Sequence, residues 1–422
     1  MAEMEMNVPE GWESNKLGAI CKIKKGIQFN RIELSDAGMY PCINGGITPS
    51  GYSDLWNTEA ETITISEGGN SCGFVNYLTS KFWSGGHCYS LLDLKKGIDK
   101  GFLYQALKGR ESLIMDLRVG SGLPNIQQKA IKEFGLLVPK SAAEQRQIAR
   151  ILSKVDEAIS QTEQLIAKYR RLKTGLMQDL LTKGIDAHGN IRSEETHAFK
   201  DSPLGRIPAE WEVSGFGNFI LGIEGGKSLE CPNIQAGANQ FGIIKVSAIN
   251  RKGFKAEENK VLLNEHLANE KYLINDGDFL ISRANTLNLV GEVCIVEGKY
   301  RKLLLSDKSL RMTLNESKML KYFAFHVLTQ PYLRVQIETA ATGSSASMKN
   351  ISQASIEKLQ IKYPTDVSEQ GRIVEIIDKN QRFLETLTSG LAKLHAQKAG
   401  LMQDLLSGKV RVGQLIRETA DV

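Results

Sequence analysis

The sequence predicts an α/β protein with long helices, written twice. Two mixed α/β domains are separated by an antiparallel pair of long coiled-coil helices and related by an approximate two-fold axis. Three observations predict this. The heptapeptide GLMQDLL stands at Gly175–Leu181 and again at Gly400–Leu406, 225 positions apart. Around it, Glu144–Gly184 pairs with Glu369–Lys409 without a gap, with 15 identities over 41 positions. Two segment openings also match, VPEGWESNKLG at Val8–Gly18 and IPAEWEVSGFG at Ile207–Gly217, and place Pro9 opposite Pro208 and Trp12 opposite Trp211. Self-similarity at a fixed offset marks a repeat architecture, and here each copy is a variable half followed by a constant half.

The first variable half covers residues 1–140. ETITISE (Glu61–Glu67) and GFVNYL (Gly73–Leu78) have the β-branched and aromatic content of strands. The second variable half covers residues 196–365, with strands expected in FGIIKVSAI (Phe241–Ile249), GDFLIS (Gly277–Ser282) and VGEVCIV (Val290–Val296). The constant halves, 141–195 (a helix and a linker) and 366–422, carry heptads. Ile148, Ile151, Val155, Ala158, Thr162, Leu165, Tyr169, Leu172 and Leu176 recur at alternating steps of three and four. The second copy gives Ile373, Ile376, Asn380, Phe383, Leu387, Gly390, Leu394, Gln397 and Leu401. Ser141 and Ser368 are placed to cap these helices, and Gly184 and Gly408 to end them. A helix of about 38 residues reaches about 57 Å, and so long a seam needs a long partner, for which its own repeat is available.

Composition narrows the function. The chain has 422 residues, a net charge of +5, and is 41% hydrophobic and 24% charged, which is globular and mildly basic. That balance permits nucleic acid as a partner without requiring it. No apolar run approaches the roughly 20 residues of a membrane span. MAEMEMNVPE lacks the basic and apolar regions of a signal peptide, so a cytoplasmic location is expected. The six cysteines have no C-x-x-C spacing and are expected to be reduced and buried. GIEGGKS at Gly222–Ser228 fails as a phosphate-binding loop because Leu221 stands where the first glycine belongs. No metal-ligand or triad spacing is found, so the expectation is a non-catalytic chain with no metal and no cofactor of its own.

The loops carry the functional signal. In each half a strand runs into a polar loop, ISEGGNSCGF and ISRANTLNLVG, and a second polar loop precedes the constant helix, RVGSGLPNI and TGSSASMKNI. Basic and amide residues also cluster at KIKKGIQFNR and GGKSLE. These residue types contact phosphates and base edges. The candidate DNA-binding residues of the first half are Lys25, Gln28, Arg31, Asn70, Arg118, Ser121 and Asn125. Those of the second half are Lys227, Ser228, Arg283, Asn285, Lys308, Arg311, Ser344, Lys349 and Asn350. Asn125 and Asn350 serve equally well as helix caps.

With these residues in hand, the whole chain resembles the DNA-specificity subunit of type I restriction–modification systems. The resemblance rests on the twin Pro-x-x-Trp-Glu openings, the twin Gly/Ser-rich loops ending in Asn-Ile, EQRQIARIL and EQGRIVEII, the doubled GLMQDLL and the tail SGKVRV. It implies that the variable halves are target recognition domains, each reading one part of a split, asymmetric double-stranded DNA target. It implies that the helices set the unread gap and dock two modification subunits, which bind S-adenosylmethionine and methylate adenine. Restriction subunits, ATP-dependent translocases and nucleases, are further implied partners. Two rival readings are a coiled-coil adaptor whose lobes bind protein without DNA recognition, and a stand-alone modification enzyme.

Overall fold

The computed structural model describes residues 8–29, 34–120, 122–343 and 348–413. The chain divides into two compact units, Met1–Ile166 with Thr386–Val422, and Ala167–Glu385. Both are built to one plan.

In the first unit a four-stranded antiparallel sheet has the order Lys22–Lys25, Cys88–Leu92, Thr62–Ser66, Val75–Leu78. The central strand TITIS is buried along its whole length, so it is covered on both faces. Ile63 and Ile65 join a core with Trp12, Leu17, Phe102 and Leu107. A smaller sheet, with Tyr40–Ile43 between Tyr52–Ser53 and Trp83–Ser84, lies beside it, and Ser90 Oγ bonds Ser84 Oγ at 2.9 Å. The opening strand Trp12–Lys16 pairs with Gly135–Pro139, Trp12 opposite Pro139, directly before the first long helix.

The second unit repeats each step. Its four strands are Ile220–Gly225, Ser309–Leu314, Phe279–Ser282 and Val293–Ile295, in that order. Phe279 and Ile281 enter one core with Trp211, while Leu280 enters a second with Ile244 and Cys294. Trp211–Gly215 pairs with Gln360–Pro364, Trp211 opposite Pro364. The expected strand at Phe241–Ile249 is real only over Gly242–Ile244; Val246–Ala248 then turns as a 3-10 helix.

The long helices run Ala142–Leu180 and Val367–Leu406. Ser141 caps the first, its Oγ accepting from Glu144 N at 3.3 Å. The second starts earlier than expected. Asp366 is its cap, accepting from Ser368 N at 2.9 Å, and Ser368 lies inside the first turn. A carboxylate satisfies the free N–H groups and also favours the positive end of the helix dipole.

The helices pack together within each unit. In the first unit Asp156 pairs with Lys398 at 2.5 Å and Glu163 with His395 at 3.9 Å. In the second, Tyr169 meets Phe383 with ring centroids 4.7 Å apart, and Lys173 donates to Gln381. Numbers on one helix fall as those on the other rise. Lys173 and Gln381 lie 225 positions from Lys398 and Asp156, so one repeated contact is an ion pair in one unit and a lysine-to-amide hydrogen bond in the other.

The heptad reading holds at Ile151 and Ala158, which are partly buried, and needs a correction at Leu165 and Leu172. Val155, Thr162, Tyr169 and Leu176 are at least partly covered, as expected. Their companions are Leu152, Ile159, Ile166 and Lys173; Leu165 and Leu172 are exposed. The second helix makes the same shift, with Ile377 and Leu384 buried and Phe383 exposed. A seven-residue repeat fixes one seam position but leaves its partner at plus three or plus four. Both registers offered apolar side chains, and packing chose.

The doubled heptapeptide has a structural use. Leu176, Met177, Leu180 and Leu181 pack into the core of the second unit. Leu401, Met402, Leu405 and Leu406 pack into that of the first. Each helix therefore starts on the domain before it, and its GLMQDLL end docks on the other domain. Gln145 and Gln370 fix the starts: each side-chain amide donates to a carbonyl six residues back, Pro139 at 2.8 Å and Pro364 at 3.1 Å.

Candidate nucleic-acid interface

The candidate loops gather at one end of each four-stranded sheet. In the first unit the chain leaves Ser66 as Glu67-Gly68-Gly69-Asn70. Glu67 N bonds His87 O at 2.9 Å, and Ile126 N bonds Glu67 O at 2.8 Å. Gly69 N reaches Pro124 O at 3.0 Å, which draws in the loop of Arg118 and Asn125. Gly26 follows Lys25 with its N on Cys88 O at 2.8 Å. A Cβ there would lie 2.2 Å from Gly85 O, so only glycine permits this approach. Lys25, Gln28, Asn70, Arg118 and Asn125 are thus neighbours and exposed.

The second unit repeats the first two of these bonds and gives its glycine a different acceptor. Arg283 N bonds Lys308 O at 2.9 Å, Ile351 N bonds Arg283 O at 2.9 Å, and Gly226 N bonds Ser306 O at 3.1 Å. Gly226 is the counterpart of Gly26, its notional Cβ 2.0 Å from Leu305 O. Lys227, Ser228, Arg283 and Lys308 are exposed around this junction, and Asn285 and Lys349 pair across it. Asn350 lies in that short strand, and the helix Gln353–Glu357 is capped by Ser352, so Asn350 is not a cap. Asn125 is not one either, since Gln127 precedes the helix Gln128–Glu133. Arg31, Ser121 and Ser344 lie outside the described residues.

Arg311 is a correction. Its side chain is 14% exposed and faces inward. Nη1 donates to Leu273 O at 2.8 Å and Asp278 Oδ2 at 3.0 Å; Nη2 donates to Glu224 Oε2 at 2.8 Å and Lys271 O at 2.7 Å. The hydrogen bond from Arg311 holds the Glu224 carboxyl below its ordinary value. Alternation along Ser309–Leu314 puts this guanidinium beside the neighbouring strand's carboxylate, where it braces the sheet. Arg311→Ala is expected to cost the second unit about 2–3 kcal/mol, read as a lower melting midpoint. Loss of DNA affinity with unchanged stability would contradict the bracing role.

Two residues escaped the sequence reading. Matching backbone bonds set Glu67 opposite Arg283 and His87 opposite Lys308. Glu67 Oε1 accepts from Lys25 Nζ at 2.5 Å and Tyr89 OH at 2.9 Å. Glu67 Oε2 faces His87 Nδ1 at 3.3 Å. Burial pushes the Glu67 carboxyl up, but the hydrogen bonds from Lys25 and Tyr89 bring it below its ordinary value. Aligning ISE with ISR and HCYS with KSLR would have found both; a search for cations and amides passes over a glutamate. Each junction presents exposed donors and charges on a fixed backbone frame, a surface suited to phosphates and base edges. Among the described residues no group of three or more His, Cys, Asp or Glu is placed to hold a metal ion, and no helix is long and apolar enough to cross a membrane.

A family model described as the type I restriction modification DNA specificity domain matches residues 9–169 and again 222–394. The chain is 33% identical over 192 residues to a Mycoplasma pneumoniae protein named as a type I specificity subunit, which is 45% of this chain and about half, 51%, of that relative. It is 24% identical over 427 residues to the type I restriction enzyme MjaVIII specificity subunit of Methanocaldococcus jannaschii, covering 97% of this chain and 95% of that one. Its fold is similar to the crystal structure of a type I restriction–modification S subunit from M. genitalium, with a TM-score of 0.65 at 19% identity over 96% of this chain and 98% of that chain.

Proposed function

The chain belongs to the type I restriction modification DNA specificity family, and from that premise we propose that each unit reads one part of a split, asymmetric duplex target. The observation that carries this reading is the doubled junction. One backbone frame holds Glu67, His87, Lys25 and Asn70 in the first unit and Arg283, Lys308, Lys227 and Asn285 in the second. The same frame with different side chains reads different bases.

The long helices act in this reading as an antiparallel coiled coil that sets the unread gap, supported by the opposed contacts in each unit. The chain itself is non-catalytic and binds no cofactor. Two modification subunits bring S-adenosylmethionine and methylate adenine, restriction subunits bring ATP-driven cleavage, and the assembly works in the cytoplasm. In this reading the modification subunits dock on the long helices.

The test is duplex binding by the chain co-purified with its modification subunits. Six or more phosphate contacts predict a fall of about 10³-fold or more in affinity between roughly 50 and 200 mM salt. Lys227→Ala is expected to weaken all sequences alike. Arg283→Ala is expected to relax choice at one or two positions, at about 1–3 kcal/mol per lost base contact. A flat salt dependence would favour the protein-binding adaptor instead.

A further inference from the structure

Each junction presents an exposed apolar side chain at the same place. Leu123 is 86% exposed, more than any other large apolar residue among those described, and Met348, 225 positions later, is 40% exposed. Both stand two residues before the asparagine of an Asn-Ile pair. In both loops that asparagine is exposed and the residue between is half-buried. The backbone beneath them is repeated as well. Val119 N donates to Asn125 O at 2.8 Å, and Asn125 N donates to Val119 O at 3.0 Å; Thr342 and Asn350 exchange the same two bonds, each at 2.8 Å. The residue after each closing position is a glycine with positive φ, Gly120 at +96° and Gly343 at +125°, where a side chain is strained. A Cβ on these glycines would lie 3.6 Å from Leu123 O and 2.8 Å from Met348 O. Each glycine therefore lets the chain turn back against the carbonyl of the apolar residue. Leu123 is three residues past its glycine and Met348 five past its own, so the loops differ in length and keep the same presentation.

A lone exposed apolar residue is ordinary on a protein surface. Two at matched places, in loops that otherwise read RVGSGLPNI and TGSSASMKNI, call for a shared use. Their surroundings are donors and cations: Arg118 and Asn125 are exposed at the first junction, Arg283 and Asn350 at the second. The base of each loop is two chain segments joined by backbone hydrogen bonds. Such a ribbon fits the major groove of duplex DNA, about 12 Å wide, and is too broad for the minor groove, about 6 Å wide. In the major groove the apolar group offered by base edges is the C5-methyl of thymine. We propose that Leu123 and Met348 are specificity residues, each covering a thymine C5-methyl in the part of the target that its unit reads. The proposal rests on the DNA reading above and extends it, adding an apolar contact to residues that read by hydrogen bond and charge.

The test uses the full chain with its modification subunits and duplexes that carry its mapped target. Thymines are replaced one at a time by deoxyuridine, which lacks only the C5-methyl. Covering one methyl group contributes about fourfold in affinity. The wild type is therefore expected to lose about fourfold at one thymine in each part of the target. Leu123→Ala is expected to bind the all-thymine duplex more weakly and to ignore deoxyuridine in the part read by the first unit, while keeping the loss in the other part. Met348→Ala is expected to do the converse. Both side chains are exposed, so the melting midpoints are expected to stay at the wild-type value. A target part without thymine, a wild type that ignores deoxyuridine, or an effect that persists in the alanine variant of that unit overturns the proposal, and salt-sensitive duplex binding then leaves the DNA reading in place. Absence of salt-sensitive duplex binding by the wild type overturns the DNA reading itself, and this proposal with it.

Discussion

Replacing Glu369 by alanine is expected to destabilise the second unit by about 3–5 kcal/mol. Glu369 is buried, and four donors converge on it. Oε1 accepts from Arg192 Nη1 at 2.6 Å, Trp211 Nε1 at 3.1 Å and Ile185 N at 3.1 Å; Oε2 accepts from Arg192 Nη2 at 3.0 Å. The Arg192 side chain is only 6% exposed. Removing the carboxylate leaves a cation and two neutral donors out of water, with Glu210 at 2.6 Å as the remaining counter-charge. Gly184 sits so close that a Cβ would lie 2.2 Å from Glu369 Oε1, so no side chain there can move in to help. The repeat supplies the control. Glu144 stands 225 positions earlier and binds Arg411 at 2.7 and 2.9 Å, but Arg411 is 45% exposed. Water can take over its hydrogen bonds, and Trp12 Nε1, the counterpart of Trp211 Nε1, makes no bond to lose. Glu144→Ala is expected to cost only about 1–2 kcal/mol. Peptide-resolved hydrogen exchange separates the units; equal loss of protection in both variants would refute the burial argument.

The sequence discloses one side of these two ion pairs and withholds the other. The pairing of Glu144 with Glu369 is visible in the alignment, because the repeat is gapless there. Their arginines are not, since Arg192 lies in the linker and Arg411 in the tail, at different distances past the ends of the heptapeptides. Only the fold brings each beside its glutamate. The strands Thr62–Ser66 and Phe279–Ser282 were legible because their β-branched and aromatic runs are short and bounded by turn residues. The seam was half legible, because apolar residues at both Leu165 and Ile166 satisfy a heptad. At the junctions, loop chemistry pointed to the right places but not to the roles. Arg311 looks like its exposed neighbours in sequence, and only strand pairing sets it against Glu224. Glu67 looks like an unsuitable DNA contact, and only the fold sets it between Lys25 and Tyr89.

Matched insertion of four residues in both long helices is expected to move the preferred target gap by about two base pairs without changing either half-target. The chain crosses from one unit to the other at Ile166/Ala167 and at Glu385/Thr386, both inside the long helices. Inserting at these two points leaves every contact within a unit in place, including Asp156 with Lys398 and Tyr169 with Phe383. Four residues add about 6 Å and rotate the rest of the helix by about 40°. Two base pairs add about 7 Å at about 3.4 Å each and turn the duplex by about 70° at roughly 10.5 base pairs per turn. Seven residues would keep the seam in perfect heptads but add about 10.5 Å with almost no net turn. Three base pairs of that length turn by about 100°, so length and phase would disagree. A four-residue stutter is the smaller mismatch, and a coiled coil absorbs it by local unwinding. Methylation mapped on a library of sites with every gap length reads the outcome. Sites with the original gap are expected to lose at least about tenfold in methylation, equivalent to about 1.4 kcal/mol of lost fit. An intact complex that still prefers the original gap would mean that the helices hold the two domains without measuring the distance between their targets.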